Sequence, residues 1–282
     1  MTLFRYNDGE IKVHHSFDAT PTPGQFVLHA HRNCELYYFI SGNGYYTVEG
    51  NDYELVPGCL LVMRSGETHT PHIRTDAPYE RVSINFPPSA FPLLHDVIED
   101  LFLNRPLGKN NMLIPPKDSA RFLSDCITRI CRETAEKDAK AQVLSNLTPL
   151  LLELYHIKNE DATPEKDFGI HEPSQGSSDI VAQIIEYINE NLTTIKGLEM
   201  LEQEFFFSKS YINRIFKEST GSSVWDYIVL KRLLLSRTLL QEGKQANIVA
   251  SQCGFCDYSS FYRQFKQRFG VSPIEAKKKA KH

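Results

Sequence analysis

Apolar positions in the first third of the chain fall in short runs. Leu36-Tyr-Tyr-Phe-Ile40, Gly44-Tyr-Tyr-Thr-Val48, Tyr53-Glu-Leu-Val56, Cys59-Leu-Leu-Val-Met63 and Arg81-Val-Ser-Ile-Asn-Phe86 are separated by Ser41-Gly-Asn-Gly44, Glu49-Gly-Asn-Asp52, Pro57-Gly58 and Arg64-Ser-Gly-Glu67. Glycine, asparagine and proline between runs this short are turn signals, so residues 25–86 are expected to form a sandwich or barrel of short strands. From about residue 90 the period lengthens. Ala120–Cys131 puts Phe122, Cys126, Ile127 and Ile130 on one helical face, and Val143, Leu147, Leu150, Leu151 and Leu154 do the same. Two such helices pack either on the β-domain or on a second subunit, and the pattern leaves both open. Residues 159–178 are polar, with Pro and Gly among acidic residues, and read as a linker. Helical spacing resumes at Asp179, the expected N-cap, and is broken at Gly197, Gly221, Gly243, Gly254 and Gly270. The expected organisation is a multidomain α and β chain: a β-barrel over 1–90, a helical appendage over 91–158, a linker over 159–178 and an all-α domain over 179–282.

Composition adds limits. A chain of 282 residues with 41% hydrophobic and 23% charged positions has enough material for two cores. No apolar run approaches the roughly 20 residues that cross a bilayer, so no membrane partner is expected. The N-terminal residues lack the basic-then-apolar form of a signal peptide. With six scattered cysteines, reduced thiols and a cytoplasmic location are the expectation. Cys253-Gly-Phe-Cys256 has no second ligand pair and reads as a turn. The net charge of −4 hides an asymmetry: residues 179–282 hold 15 Lys+Arg against 11 Asp+Glu, and residues 1–178 hold 16 against 24. A basic C-terminal part behind an acidic N-terminal part fits contact with a polyanion.

One segment occurs twice. Ser210–Ser223 recurs 49 positions later as Ser259–Ser272, with Ser, Arg, Phe, Lys, Gly and Ser shared. Each copy is a helix that carries an Arg and a Lys and is stopped by Gly. Ser208 and Asp257 are the expected N-caps. Ser210, Asn213, Arg214 and Lys217 share one face while Ile212, Ile215 and Phe216 point to a core. In the second copy Phe261 and Phe265 are core, and Ser259, Tyr262, Arg263 and Lys266 are exposed. Arg suits guanine and Asn suits adenine, and Lys suits phosphate.

These residues resemble a known family. Gly254-Phe255, Phe261-Tyr-Arg-Gln-Phe-Lys266 and Gly270-Val-Ser-Pro273 are similar to the signature of AraC-type transcription regulators, over about residues 180–276. Leu198-Glu-Met-Leu201 with Ser208–Lys217 resembles the first helix-turn-helix unit, and Arg232-Leu233 with Leu239-Leu240 resembles the helix joining the two. Glu202 and Ser236 stand where the family usually has Ala, and Ala246 where Ile is common. The resemblance implies base reading at positions 210, 213, 214, 258, 259 and 263. The full expected DNA-contacting set is Ser208, Ser210, Asn213, Arg214, Lys217, Tyr258, Ser259, Ser260, Arg263 and Lys266, with double-stranded DNA as the partner.

The N-terminal half resembles cupin barrels over about residues 20–90. His29-Ala-His31-Arg-Asn-Cys-Glu35, then Gly42, matches their first motif; Gly58, then Arg64-Ser-Gly66-Glu-Thr-His69, resembles the second, with Arg64 and Ile73 departing from it. His29 and His31 on one strand would point the same way, with Glu35 on the same parity and His69 brought in opposite. Imidazoles with a carboxylate form a ligand set for Fe, Mn, Ni or Zn. The same groups, with Tyr37, also suit a metal-free pocket for the hydroxyls of a sugar or related metabolite. The expected function is an effector-controlled, sequence-specific DNA-binding regulator, with RNA polymerase and a second copy as further partners. The alternative is a metal-dependent cupin enzyme or metal sensor fused to a DNA-binding module. No second acid/base constellation accompanies the barrel motifs, so no catalytic residue and no enzyme activity are expected.

Overall fold

The computed structural model describes residues 1–22, 25–74, 77–132, 135–159, 169–171 and 178–279. The chain divides into two compact units, residues 1–176 and 177–282. Most of the predicted linker over 159–178 and the last residues of the basic tail lie outside the described residues.

The N-terminal unit holds strands β1 (Thr2–Asn7), β2 (Lys12–Asp18), β3 (Cys34–Ser41), β4 (Gly44–Val48), β5 (Asn51–Glu54), β6 (Leu60–Met63), β7 (His69–Ile73), β8 (Tyr79–Phe86), β9 (Met112–Ile114) and β10 (Gly169–His171), and helices α1 (His95–Ile98), α2 (Lys117–Ile130) and α3 (Glu136–Asn159). A seven-stranded sheet runs β1-β2-β8-β3-β6-β9-β10 and a three-stranded sheet runs β5-β4-β7. The described strand pairs are antiparallel. Alternation sorts the large sheet's side chains. Leu36, Leu60, Val62, Val82, Ile84 and Phe86 form one core with Leu123, Ile127, Ile130, Leu147, Leu150 and Leu154 of the helices. Tyr37, Phe39, Leu61, Met63 and Tyr79 form the other with Tyr46, Val48 and Tyr53 of the small sheet. The apolar faces of α2 and α3 are therefore spent on the sheet of their own chain.

Three local expectations change. Phe122 is 43% exposed, and Leu123 is buried in its place. The stripe Leu123, Cys126, Ile127, Ile130 sits at the i, i+3, i+4, i+7 spacing of one face, which leaves Phe122 at its edge. Helix α4 begins at Ser178, so Asp179 lies inside it and is not its N-cap. His29 and His31 lie on an irregular segment ahead of β3, not on a strand, and His29 forms only an isolated bridge with His69. Strands β1 and β2, outside the predicted β region, close the near edge of the large sheet.

The C-terminal unit is helical: α4 (Ser178–Glu190), α5 (Glu199–Phe205), α6 (Lys209–Thr220), α7 (Val224–Gln241), α8 (Ala246–Gln252), α9 (Tyr258–Phe269) and α10 (Pro273–Lys279). The sequence repeat is a structural repeat. Ser208 Oγ accepts from Tyr211 N–H at the start of α6, and Asp257 Oδ1 accepts from Ser260 N–H at the start of α9. Ile212 and Phe216 are buried in one copy, Phe261 and Phe265 in the other, and Ile215 is half-buried. Each helix ends on a left-handed glycine, Gly221 or Gly270, whose N–H bonds to Lys217 or Lys266 carbonyl oxygen. Helix α7 contacts α6 and also α8, α9 and α10, so one helix supports both units. Two departures from the family are accommodated. Buried Ser236 donates to Leu233 carbonyl at 2.8 Å. Glu202 is 44% exposed with Lys209 Nζ at 4.0 Å, so its carboxylate is not enclosed between helices.

Candidate functional site

In the N-terminal unit four predicted residues meet. Glu35 leaves β3 on the inter-sheet side, as does Asn85 of β8, its direct cross-strand partner. His69 comes from the first position of β7. The backbones of His29 and His69 exchange hydrogen bonds of 3.1 and 2.8 Å, and His31 carbonyl accepts from Gly66 N–H at 2.9 Å. These bonds hold the irregular segment against the second motif. One ligand atom from each of His29, His31, Glu35 and His69 lies within 4.8 Å of all the others.

The imidazoles share one orientation. His29 Nδ1 lies 2.9 Å from Val27 carbonyl, His31 Nδ1 2.9 Å from Asn33 carbonyl, and His69 Nδ1 2.8 Å from Glu67 carbonyl. A carbonyl only accepts, so each Nδ1 carries the proton and each Nε2 faces inward. His31 Nε2 is in short contact with Glu35 Oε2, His69 Nε2 lies 3.7 Å from the same oxygen, and Asn85 Nδ2 donates to it at 2.9 Å. Burial, then the neighbouring His69, pulls His29 down to about 4, which leaves its imidazole neutral at neutral pH. Burial alone would raise Glu35, but its bond to His31 and the neighbouring His69 ring outweigh this and hold its carboxyl well below the ordinary range.

Tyr37 is placed differently. Its ring packs 4.6 Å from Tyr46 and its hydroxyl is in short contact with that of Tyr79. It is buried in the inter-sheet core, so its hydroxyl is engaged within the protein.

Glu67, noted in the sequence only as a motif letter, is the anchor of the second motif. It is fully buried, and Arg105 Nη1 and Nη2 donate to its two oxygens at 3.0 and 2.6 Å. Gly108 N–H, Arg64 N–H and Asn111 Nδ2 complete the set at 2.8, 3.0 and 3.2 Å. Arg105 also donates to Lys109 and Val62 carbonyls and to Asn111 Oδ1. Arg105 lies outside both motifs, and a lone arginine ahead of Pro106 carried no signal of burial. This network fixes the turn that carries His69.

In the C-terminal unit Ser208, Ser210, Arg214 and Lys217 are exposed on α6 and its cap, and Ser259, Arg263 and Lys266 on α9; Tyr258 is 37% exposed and Ser260 half-buried. Arg214 pairs with Glu218 at 3.2 Å, with both side chains well exposed. Arg263, Lys217 and Lys266 make no ion pair among the described residues. Asn213 is half-buried, and its Oδ1 accepts from Val224 N–H at 3.3 Å. That bond ties α6 to the start of α7 and occupies the group expected to read adenine.

Among the described residues no helix is long and apolar enough to cross a membrane. Two family models match, the AraC-like ligand binding domain over residues 18–152 and a helix-turn-helix domain over residues 201–279. An uncharacterized response regulatory protein of Staphylococcus epidermidis is 29% identical over 143 residues, which are 49% of this chain and 55% of the relative. The transcriptional regulatory protein HptR of Staphylococcus aureus is 33% identical over 101 residues, which are 36% of this chain and 40% of the relative. The chain thus spans about half the length of these curated relatives, or less. Among solved structures, unsaturated fatty acid bound ToxT of Vibrio cholerae is 13% identical, with 97% of this chain and 96% of that chain covered at a TM-score of 0.38. The DNA-binding domain of AdpA in complex with a target DNA is 24% identical, with 35% of this chain and 89% of that chain covered at a TM-score of 0.34. With an AraC-like ligand-binding model on its β-rich unit and a helix-turn-helix model on its helical unit, the chain belongs to the AraC-type transcription regulators.

Proposed function

We propose that this chain is a sequence-specific DNA-binding regulator of transcription, controlled by a ligand held in its N-terminal β-unit. The repeated α6 and α9 modules carry this reading. Each has a side-chain N-cap, a buried apolar face, a left-handed glycine stop and an exposed Ser/Arg/Lys face. Such a helix presents its first turns to base edges in the major groove and its flanks to phosphates. The partners of this role are double-stranded DNA, a small-molecule effector such as a sugar, RNA polymerase and a second copy, in the cytoplasm.

The two helices are not electrostatically equal. Helix α9 carries Arg263, Lys266 and Arg268 with no acidic residue, whereas α6 sets Glu218 against Arg214. Arg263→Ala is expected to cost about 1–3 kcal/mol in specific binding and to relax base preference at one position of the operator. Arg214→Ala costs less, because the wild type must first release Glu218, an exposed pair worth under about 1 kcal/mol. Selection of bound sites from a random duplex library followed by titration checks both. Unchanged selectivity of Arg263→Ala would remove it from the reading set. Lys266→Ala is expected to weaken all duplexes alike and to lower the slope of log K against log salt by about 1. A loss confined to one sequence would contradict a phosphate role.

A further inference from the structure

We infer that Phe206, in the turn of the first helix-turn-helix unit, reads the methyl group of a thymine beside the bases met by α6. This rests on the DNA-binding reading and adds to it an apolar contact made from outside the two helices.

Phe205, Phe206 and Phe207 follow one another at the turn, and the two outer rings are engaged within the unit. Phe205 packs edge-on against Tyr187 of α4 at 5.7 Å, and Phe207 packs against Tyr211 of α6 at 4.9 Å. The middle ring is 91% exposed. Its backbone is left-handed, at φ 56° and ψ 27°, and its N–H donates to Glu202 carbonyl at 3.1 Å. A left-handed backbone crowds any Cβ, and a bulky residue there is an outlier. The second unit shows the unstrained solution, since its turn has Gly254 at φ 81°. The first unit thus holds a strained backbone and keeps a large ring in water, and both features are unfavourable in the free protein. The packed neighbours and the N–H bond fix where the ring stands. Both features have a use only if something else covers the ring.

The place of the ring selects DNA for that role. Ser208, the N-cap of α6, follows two residues later, no more than about 7 Å of chain away. A recognition helix presents this end to base edges. The α5 carboxylates of Glu199 and Glu202 have a counter-charge, with Lys209 Nζ at 2.6 and 4.0 Å, which lowers their repulsion of phosphates. The base edges of the major groove offer donors, acceptors and one apolar group, the thymine methyl. A phenyl ring, which has no hydrogen-bonding atom, matches that group alone. The ring is already held in place before DNA arrives, so little freedom is lost on contact.

The test uses the full chain and a duplex that the wild type selects from a random library, with each thymine replaced in turn by deoxyuridine, which lacks only the methyl. One replacement is expected to weaken wild-type binding about fourfold, the value of one methyl taken out of water. Phe206→Gly should bind the unsubstituted duplex at least about fourfold more weakly and be indifferent to that same replacement, the coupling that marks a direct contact. Phe206→Asn, which also tolerates the left-handed region, is expected to behave alike. Neither variant should lower the urea midpoint followed by Trp225 fluorescence, because both relieve the backbone. A lower midpoint in both would make the ring part of the fold and overturn the inference. Undiminished DNA affinity of the variants, or the lack of any thymine at which replacement and variant are coupled, also overturns it. Normal DNA binding with lost activation of RNA polymerase would assign the ring to a protein partner instead. A wild type that selects no duplex rejects the DNA-binding reading itself, whereas selected sites that Phe206→Gly binds as tightly reject this contact alone.

Discussion

Glu67→Ala is expected to destabilise the N-terminal unit by about 3–5 kcal/mol, the scale on which one partner of a buried pair is lost. The carboxylate takes five hydrogen bonds, two of them from Arg105, and both side chains are almost fully enclosed. Without it the guanidinium stays buried with no counter-charge, and the N–H groups of Arg64 and Gly108 lose their acceptor. Glu67→Gln should cost less, since the amide keeps one oxygen for Arg105 but cannot balance its charge. Replacing both partners by leucine is expected to cost less than the sum of the single changes, because no orphaned charge remains. Urea unfolding of the full chain separates the units. The chain has one tryptophan, Trp225 on α7 of the C-terminal unit, so its fluorescence follows that unit, while tyrosine near-ultraviolet circular dichroism is weighted toward the N-terminal unit. A loss under about 1 kcal/mol would mean that solvent reaches the pair and that the network is not what holds the turn. Weakened ligand binding should accompany the loss of stability, since Glu67 carbonyl is also the acceptor that orients His69.

What the sequence made legible follows from the range of each interaction. The two helix-turn-helix units were readable because their determinants are local. An N-cap, an apolar face and a stopping glycine lie within one helix, and the copy 49 positions on repeats them. The quartet was readable for a different reason: His29, His31, Glu35 and His69 sit in two short motifs, although the strand assumed to align His29 with His31 is absent. Their alignment comes from backbone bonds to Gly66 and His69 across the barrel. Long-range partners left no local mark. Arg105 lies 38 positions from Glu67, and nothing near either residue announces the pairing. Asn213 shows the converse. Its spacing places it on the exposed face of α6, but the start of α7 turns back onto it and claims its oxygen.

Arg232→Ala is the matching prediction for the C-terminal unit, with an expected loss of about 3 kcal/mol. Arg232 is 2% exposed in the middle of α7. Its Nε donates to Leu192 carbonyl at 2.9 Å, Nη1 to Gly254 carbonyl at 2.8 Å, and Nη2 makes a short bond to Ile195 carbonyl. Leu192 and Ile195 follow α4, beside the first helix-turn-helix unit, and Gly254 lies in the turn of the second. One planar guanidinium thus fastens both units to the helix they share, and alanine would leave three carbonyls without a donor. Lysine restores the charge but not the fork of donors, so Arg232→Lys should recover only part of the loss. Gly254 is fitted to the same contact. At φ +81°, an added Cβ would stand 2.7 Å from Thr193 carbonyl oxygen and 2.9 Å from Arg232 Cζ. Gly254→Ala should therefore destabilise the unit through crowding, by about 1–2 kcal/mol from the left-handed backbone alone. The Trp225 ring lies 5.7 Å from the guanidinium, so its fluorescence reports the same place during denaturant unfolding. If Arg232→Ala unfolds at the wild-type midpoint, the three carbonyls are satisfied by water and the units are held by apolar contacts alone. If it is destabilised but still folded at low temperature, its operator footprint separates two possibilities. Protection lost over both half-sites means that Arg232 positions the two helix-turn-helix units together, and protection lost over one means that it supports that unit only.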